Sequence, residues 1–395
     1  MHIAMFTNNY RPFVGGVPIS IDSFANEFRE RGHQVTIFAP EYKKTTEDEE
    51  NIFRVPSLKM IKYGNSCLPI PLSGLSNLKK EFAKLNIDIV HCHHPFFLGR
   101  VGQKLGHKYN IPIVYTYHTR YKEYCHHLPI GIDKFCEAAL DKIVENFCNN
   151  SDLVFAPTQG MTNYLFSIGV NTQIKVIPTG IDLSHYDQIE INDYQSQLQA
   201  TNDDILLFVS RLSAEKNIDF LLKSLEPVLN SKEKLKLLIV GDGPEKENLI
   251  ELSVELGVKN QVEFLGKKNR EELIKLYKLS DIFVFSSLSE TQGMVITEAL
   301  AGKTPVVALN GTGVKDIIID GKDGYLLAPD DKRGFANKVT KLLNDRDLLD
   351  EMSLNALEKA NQYSIQNLAQ DMLKYYHSLC NFRANYQPEF AAGQR

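Results

Sequence analysis

Two glutamates, Glu290 and Glu298, lie seven residues apart in the segment "SETQGMVITEAL" at 289–300. An apolar run, "DIFVFSSL", precedes the first, and Gly293 between them predicts a helix start. We expect Glu290 just after a strand and Glu298 within the helix. Carboxylates placed in this way can accept hydrogen bonds from sugar hydroxyls, while amides around Gly293 bind phosphate. Alternatively, Glu290 is a helix cap and Glu298 a solvated residue of a helix face.

Two cations follow another apolar run, in the segment "FVSRLSAEKNIDFLLKSL" at 208–225. Arg211 is expected at the end of a strand, and Lys216 five residues later, before an amphipathic helix. A pair of cations at the carboxyl end of a strand suits a diphosphate. The alternative is a surface ion pair with Glu215.

Glycines occupy equivalent places elsewhere. Gly15 and Gly16 follow the first predicted strand, before a helix expected to begin near 18–20. They either let a backbone and a helix N-terminus approach an anion or simply form a tight turn. Gly241 and Gly243 lie in "LIVGDGPEKENL", a strand, a turn and a helix without the G-x-G-x-x-G spacing. This disfavours a nicotinamide-dependent dehydrogenase.

The elements that must position these residues alternate regularly along the chain. Short apolar runs, six before residue 181 and six after residue 203, are separated by amphipathic helical stretches. Such runs predict parallel sheets covered on both faces, hence an α/β protein with two doubly wound Rossmann-like domains facing across a cleft. We expect domains at 1–183 and 205–363, a linker at 184–204, and a C-terminal helix at about 364–380 packing back on the first domain. In such sheets ligands bind beyond the carboxyl ends of the strands.

Composition narrows the class of protein. The 395 residues are 43% hydrophobic and 24% charged, with no apolar stretch long enough to span a membrane and no signal-peptide pattern at the start. Six cysteines without a CxxC pair suit a reducing compartment, so we expect a cytoplasmic protein. The net charge is −5, divided into +3 over residues 1–180 and −8 over the remainder, which is too small to indicate nucleic acid binding.

Together with "YTYHT" and "PTGID", the glutamate spacing, the Gly-Gly loop and "SRLSAEKN" resemble the large family 4 of retaining glycosyltransferases, which has the GT-B fold. The resemblance runs from about residue 1 to 376. The segments "HHPFFLG", "YTYHTRYKEY", "FCNNSDLVFAPT" and "SETQG" look closest to the branch of bacterial diacylglycerol glucosyltransferases.

The resemblance implies a role for each matching residue. Glu298 would bind the ribose of a nucleotide-sugar donor, Glu290 the hydroxyls of the transferred sugar, and His118 of "YTYHT" would face that sugar. Arg211 and Lys216 would neutralise the diphosphate leaving group. The remaining residues expected to bind the donor are Gly15, Gly16, Gly241, Gly243, Leu265, Thr291, Gly293, Met294 and Val295. Members of the family need no metal.

Three other segments allow more than one interpretation. The runs "HCHHPF" (91–96) and "YCHHLP" (124–129) could ligate zinc, but neighbouring residues on a strand point to opposite faces. We expect pocket or core histidines instead, with His93 and His126 bordering the acceptor side. The apolar loop "LPIPLSG" (68–74), flanked by lysines, is either a contact with an anionic membrane or a loop packed on its own domain.

The resemblance therefore implies a metal-independent hexosyltransferase. The expected donor is UDP-glucose, with GDP-mannose or UDP-galactose as alternatives, and the expected acceptor is a membrane lipid such as diacylglycerol, reached by peripheral membrane contact. A phosphatidylinositol, a polysaccharide or a small soluble acceptor stays open. A non-catalytic nucleotide-sugar-binding protein of the same fold is the alternative from another class.

Overall fold

The computed structural model describes residues 1–13, 15–42, 50–57, 59–63, 66–70, 74–122, 132–191, 194 and 203–386. The chain divides into two compact units. Unit 1 comprises Met1–Gly180 and Ile365–Arg395, and unit 2 comprises Ile181–Ser364. Each unit is described by itself.

Strands and helices alternate through both units, as the apolar runs predict. The strands are β1 (His2–Phe6), β2 (Gln34–Pro40), β3 (Ile52–Val55), β4 (Lys59–Tyr63), β5 (Ser66–Ile70), β6 (Ile89–Cys92), β7 (Ile113–Thr116), β8 (Leu153–Ala156), β9 (Ile174–Val176), β10 (Asp204–Val209), β11 (Leu235–Val240), β12 (Val262–Gly266), β13 (Ile282–Phe285), β14 (Val306–Leu309) and β15 (Gly324–Leu327). The helices are α1 (Gly16–Glu30), α2 (Leu75–Lys84), α3 (Phe97–Tyr109), α4 (Ile132–Asn149), α5 (Gln159–Ser167), α6 (Ser184–Gln188), α7 (Ile218–Ser231), α8 (Lys246–Glu255), α9 (Arg270–Leu279), α10 (Met294–Ala301), α11 (Lys332–Asn344), α12 (Arg346–Asn361) and α13 (Ile365–Tyr386).

Each unit contains one parallel sheet. In unit 1 the order is β3-β2-β1-β6-β7-β8-β9, and β4 and β5 form a separate antiparallel hairpin. In unit 2 the order is β12-β11-β10-β13-β14-β15. Both orders reverse direction once, between β1 and β6 and between β10 and β13, which is the doubly wound topology expected from the sequence.

The cores lie on both faces of each sheet. Along β1, Ala4 and Phe6 belong to one buried cluster, whereas Ile3 and Met5 belong to another on the opposite face. The second cluster includes Tyr376 of α13, so this C-terminal helix covers part of the sheet of unit 1. Burial on both faces explains why these strands read as continuous apolar runs rather than alternating patterns.

Some local features differ from the sequence expectations. The strand β3 and the hairpin of β4 and β5 were not predicted, since four residues or a ribbon rich in lysine give little periodic signal. Residues 68–70 of the expected loop "LPIPLSG" form the end of β5, while residues 71–73 lie outside the described residues. Helix α1 begins at Gly16 rather than near 18–20, because Pro18 is tolerated in a first turn, where amides lack helical partners.

Among the helices described, none is long and apolar enough to cross a membrane.

Candidate active site

The reversal of strand order in unit 2 brings two predicted residues into contact. Strands β10 and β13 are neighbours, with Leu207 opposite Phe283, so the loops that follow them meet. Lys216 lies in the first loop and Glu290 in the second. The Nζ of Lys216 donates to Oε1 of Glu290 at 2.6 Å, and each side chain is only 16% exposed. The result is a half-buried ion pair at the place where doubly wound sheets bind ligands.

Ser286, which the sequence analysis did not single out, fixes the backbone of Lys216. Its buried hydroxyl donates to the carbonyl oxygen of Lys216 at 2.8 Å. Asn217 then adopts a left-handed conformation with φ of 54° and ends the short 3-10 turn that carries the lysine. Asparagine tolerates this conformation better than most residues, so "EKN" was the available sequence signal.

Arg211 is the more exposed of the two cations. Its Nη2 donates to Oε1 of Glu215 at 2.7 Å, and its Nε to the hydroxyl of Ser213 at 3.2 Å. Burial alone would raise the pKa of Glu215, but the hydrogen bonds from Ser213 and Arg211 lower it to about 2. The surface ion pair that the sequence offered as an alternative is therefore present, and an anion would have to draw Arg211 away from Glu215.

The loop after β14 holds the backbone of Glu290. The amide of Glu290 donates to the carbonyl of Thr312 at 3.2 Å, and the amide of Thr312 to that of Leu288 at 3.1 Å. Gly313 has a φ of 80°, and a Cβ there would lie 2.5 Å from the carbonyl oxygen of Glu290. This support was not predicted from the sequence, although the glycines of "NGTGV" after an apolar strand were a usable signal.

Gly293 opens helix α10, as predicted. It is the N-cap, with a left-handed φ of 82°, and Met294 is the first helical residue. Within the described segment 203–386, no side chain of the N-cap residue caps this helix, because that residue is glycine, and its first turn contains no acidic residue. Thr291 and Val295 flank this helix start and are half-buried. A helix start without acidic residues suits a negatively charged ligand.

Glu298 lies in α10, half-buried, four residues after Met294. Its Oε2 accepts a hydrogen bond from the hydroxyl of Tyr277 at 2.9 Å. Burial raises the pKa of Glu298, and the bond from Tyr277 only partly opposes this effect. The solvated helix-face alternative is therefore wrong, because this carboxyl is partly buried against a fully buried tyrosine.

The glycines after β11 pack against the loop that carries Arg211. A Cβ on Gly241 would lie 1.8 Å from the carbonyl oxygen of Ser210, and one on Gly243 would lie 2.1 Å from that of Leu212. The amide of Gly241 donates to the carbonyl of Gly266 at 2.9 Å, which brings Leu265 of β12 to the same edge. Close backbone packing is thus sufficient to require both glycines.

In unit 1 the predicted His118 follows β7 and contacts a histidine that follows β6. The Nδ1 of His93 lies 2.9 Å from the Nε2 of His118, and the two rings are stacked with centroids 5.2 Å apart. Burial lowers the pKa of His118 to about 3 and that of His93 well below its usual value. Both rings are therefore neutral near pH 7.

The first loop of unit 1 lies beside these histidines, because β1 and β6 are paired. The Nδ1 of His94 is 3.2 Å from the amide of Asn8. Farther along that loop, Gly15 is the N-cap of α1 with an extended backbone, and Gly16 is its first residue. A Cβ on Gly15 would lie 2.9 Å from the ring of Phe13. Gly15 is thus constrained by a side chain rather than by a left-handed backbone.

The histidines of "HCHHPF" do not converge on one point. His91 contacts Thr116 and Tyr376, whereas His93 contacts His118 and His94 contacts Asn8. In the described part of the chain, no group of three or more metal-ligating side chains could hold an ion. The second run, "YCHHLP" with His126, lies outside the described residues.

Two units, each with a doubly wound parallel sheet, are the two domains of the GT-B fold. Solved structures agree on the fold. A sucrose-phosphate synthase from Thermosynechococcus elongatus is similar with a TM-score of 0.76 and 21% identity, covering 97% of this chain and 99% of that one. Anabaena HepE, solved with UDP-glucose, is similar with a TM-score of 0.75 and 20% identity, covering 96% and 100%.

The chain belongs to the group 1, family 4 glycosyltransferases. Residues 14–185 match the family described as "Glycosyltransferase Family 4", and residues 190–359 match "Glycosyl transferases group 1". An alpha-monoglucosyldiacylglycerol synthase of Streptococcus pneumoniae is 30% identical over 383 residues, covering 95% of this chain and 85% of that protein. The enzyme with the same name from Acholeplasma laidlawii is 25% identical, covering 96% and 97%. The chain is therefore a glycosyltransferase.

Proposed function

We propose that this enzyme transfers glucose from UDP-glucose to the free hydroxyl of diacylglycerol, with retention of the anomeric configuration and without a metal ion. The observation that carries the proposal is the 30% identity, over 95% of the chain, to an alpha-monoglucosyldiacylglycerol synthase. HepE, a relative in fold, has been solved with UDP-glucose, which supports the same donor.

The ion pair of unit 2 supports the bond-breaking step. When the bond between the sugar C1 and the phosphate oxygen breaks, its electron pair stays on the departing diphosphate. Lys216 is held beside Glu290 at 2.6 Å, so its ammonium group is positioned before reaction. Together with Arg211 and the start of α10, it would stabilise the growing negative charge. Glu290 would accept hydrogen bonds from the hydroxyls of the sugar.

The acceptor step needs no further cation. The hydroxyl oxygen of diacylglycerol forms the new bond to C1, and its proton passes to the departing phosphate oxygen on the same face of the sugar. Retention of the anomeric configuration is carried over from the family. A path on the same face of the sugar produces it. In unit 1, His118 would contact the sugar as a neutral ring, because burial lowers its pKa to about 3.

Helix α2 supports a peripheral contact of unit 1 with the membrane. Leu78 and Phe82 are buried, whereas Lys79, Lys80 and Lys84 are exposed, although Lys84 pairs with Glu81 at 2.7 Å. Each basic residue near an anionic surface contributes about 1 kcal/mol and fades with salt. The side chains of Lys59 and Lys62, two of the lysines that flank "LPIPLSG", are not among the parts of the chain that the structure describes.

A screen of donors against acceptors, with mass detection of the product and EDTA in parallel, tests the proposal. We expect glucosyldiacylglycerol from UDP-glucose, unaffected by EDTA. Donor binding without transfer to diacylglycerol would exclude the proposed acceptor. A soluble product instead of a glycolipid would show that the acceptor is a soluble molecule rather than diacylglycerol. Inositol phosphate is included because D-inositol 3-phosphate glycosyltransferase of Corynebacterium diphtheriae is 27% identical, covering 95% of this chain.

Vesicle co-sedimentation tests the membrane contact separately. We expect binding to vesicles with anionic lipid at low salt and release at high salt. Replacing Lys79 and Lys80 by glutamine should weaken this binding, whereas replacing the exposed Lys223 of unit 2 should not. If the protein ignores anionic vesicles at low salt, the peripheral contact is excluded.

A further inference from the structure

His93 is a buried histidine to which the proposed function gives no role. Its side chain is 2% exposed, and its amide is fixed by a 2.9 Å hydrogen bond to the carbonyl of Phe6. Its ring contacts His118 through a single pair of nitrogens, Nδ1 of His93 and Nε2 of His118. The rings are inclined by only 24°. The only ring nitrogen of His118 left to face a ligand is therefore Nδ1.

The other nitrogen of His93 decides which ring donates. The 2.9 Å contact joins one nitrogen of each neutral ring. One of these two nitrogens must carry a proton and donate it, and the other must accept it. Within the described structure, Nε2 of His93 is buried and has no hydrogen-bond partner. If His93 carried its proton there, a buried N–H would be left unsatisfied, which is rarer in proteins than an unsatisfied acceptor.

The favoured assignment therefore places the proton of His93 on Nδ1, where it donates to Nε2 of His118. His118 must then carry its own proton on Nδ1, because the tautomer of a neutral histidine is set by the hydrogen bond at the other nitrogen. We propose that His93 is a positioning residue that fixes the ring of His118 and makes Nδ1–H of His118 a hydrogen-bond donor to the transferred sugar. The identity of the ligand in this inference rests on the proposed function, but the assignment of the tautomer of His118 does not.

Packing behind His93 explains how it keeps this orientation. The ring of His91 lies against it, with centroids 4.2 Å apart. His91 is held at both nitrogens, by the hydroxyl of Thr116 at 2.6 Å and that of Tyr376 at 2.7 Å. Helix α13 thus supports the histidine pair through Tyr376. The stack restricts rotation of His93 because its neighbour is fixed at both ends.

Substitutions of His93 separate a hydrogen bond from simple packing. In His93→Asn the amide group can occupy the place of Nδ1 and still donate to His118, whereas in His93→Gln it lies nearer the place of Nε2. His93→Phe keeps a ring but removes the donor. We expect kcat to fall about 10- to 100-fold in His93→Phe and His93→Gln, by analogy with the loss found when the hydrogen-bond partner of a metal-ligating histidine is removed. In His93→Asn it should stay within about threefold, and the KM for the donor should be nearly constant throughout.

Nitrogen-15 NMR of ring-labelled histidine provides a second readout that needs no activity. The resonances of His118 are found by comparison with His118→Gln, and their shifts identify the protonated nitrogen. We expect Nδ1–H in the wild-type chain and in His93→Asn, and a return toward Nε2–H, the form favoured by free imidazole side chains, in His93→Phe. Thermal unfolding and the exposed control His107→Phe identify variants that merely misfold.

The outcomes are distinct. Nε2–H on His118 in the wild-type chain overturns the inference, as does equal loss of kcat in His93→Asn and His93→Phe when both are folded. If the wild-type chain transfers no sugar to any acceptor, the proposed function fails instead, and the NMR assignment alone decides whether His93 sets the tautomer of His118.

Discussion

The candidate residues at the carboxyl edge of the sheet in unit 2, Lys216 and Glu290, are charged and paired, whereas those in unit 1, His93 and His118, are neutral. Lys216 and Glu290 are each 16% exposed and satisfy one another. His93 and His118 are held neutral by burial, which lowers the pKa of each. Unit 2 thus offers fixed charges for a diphosphate, and unit 1 offers uncharged hydrogen-bonding groups. The two edges can therefore be perturbed separately, by acid in unit 1 and by loss of a cation in unit 2.

Acid should produce the largest difference between the units. Burial lowers the pKa of His91, His94 and His118 to about 3, whereas histidine in an unfolded chain titrates near 6.5. Between these values the unfolded chain binds more protons than the folded one, so stability is complete above about pH 6.5 and falls as the pH decreases. Each such histidine contributes up to about 1.4 kcal/mol per pH unit. Glu215, with its pKa lowered to about 2, weakens unit 2 only below its unfolded value near 4.5.

Hydrogen exchange with mass detection, on the full chain between pH 7.5 and 5 and corrected for intrinsic rates, measures this difference. We expect β1, β6 and β7 to lose protection as the pH falls while β10 and β13 keep it. Parallel loss in both units would show that the buried histidines do not control acid stability.

Loss of the cation in unit 2 should have the next largest effect. In Lys216→Ala, kcat should fall about 100- to 1,000-fold, the loss typical when one fixed group that stabilises a developing negative charge is removed. Glu290 would also lose its 2.6 Å partner while half-buried, so the melting temperature should fall. Circular dichroism and a rate assay measure both effects.

Lys223→Ala is the matched control, since Lys223 pairs with Asp219 at 3.1 Å on an exposed face of the same unit. Exposed pairs contribute about 0–1 kcal/mol, so this variant should behave as the wild type. A folded Lys216→Ala enzyme with near-normal turnover would remove Lys216 from the proposed mechanism.

A steric change behind Glu290 should have a smaller effect. Gly313 and Gly321 have nearly equal left-handed φ values, 80° and 78°, but a Cβ on Gly313 would lie 2.5 Å from the carbonyl oxygen of Glu290, whereas nothing lies within 4 Å of one on Gly321. Gly321→Ala should lose about 1 kcal/mol of stability through backbone strain, and Gly313→Ala should lose more because its Cβ also clashes with a backbone carbonyl. Only Gly313→Ala should also lose turnover, by about tenfold, because a misplaced catalytic group costs rate.

Urea unfolding and kcat, measured on both glycine variants, make this comparison. Equal turnover in Gly313→Ala and Gly321→Ala would mean that the loop after β14 does not position Glu290.

Much of the fold could be predicted from the sequence, because buried parallel strands read as continuous apolar runs. All twelve runs singled out in the sequence form strands, and Gly293 correctly marked the start of α10. The short β3 and the hairpin of β4 and β5 could not be found in this way, because neither has a continuous apolar core pattern.

The contacts of the candidate site were harder to predict. Residue types identified Lys216, Glu290 and His118, but their partners are far away in the sequence. Lys216 and Glu290 are 74 positions apart, and His93 and His118 are 25 positions apart. Only strand order brings such pairs together, and periodicity in one sequence does not specify that order. Ser286 acts through a backbone contact, which leaves no distinct pattern of residue types, whereas Gly313 left a usable signal in the glycines of "NGTGV".

Glu298 belongs to unit 2 but resembles the histidines of unit 1 more than the ion pair of Lys216 and Glu290, because burial shifts its pKa. Burial raises its pKa, and its described hydrogen bond comes from a neutral donor, the hydroxyl of Tyr277, at 2.9 Å. Glu298→Gln keeps an oxygen for Tyr277 but removes the negative charge. If the carboxylate binds the ribose, the variant should bind UDP about tenfold more weakly, because hydrogen bonds to charged groups are stronger than neutral ones.

The pH dependence of this binding distinguishes Glu298 from a residue that only packs. Because the carboxylate is the binding form and its pKa is raised, wild-type affinity for UDP should be complete at high pH and decline as the pH falls through that raised pKa. Glu298→Gln should show a flatter profile, and Glu263→Gln, an exposed control on β12, should follow the wild type. Calorimetric titration with UDP from pH 7.5 to 5 measures all three. Identical profiles for wild type and Glu298→Gln would mean that Glu298 serves the packing of Tyr277 rather than the nucleotide.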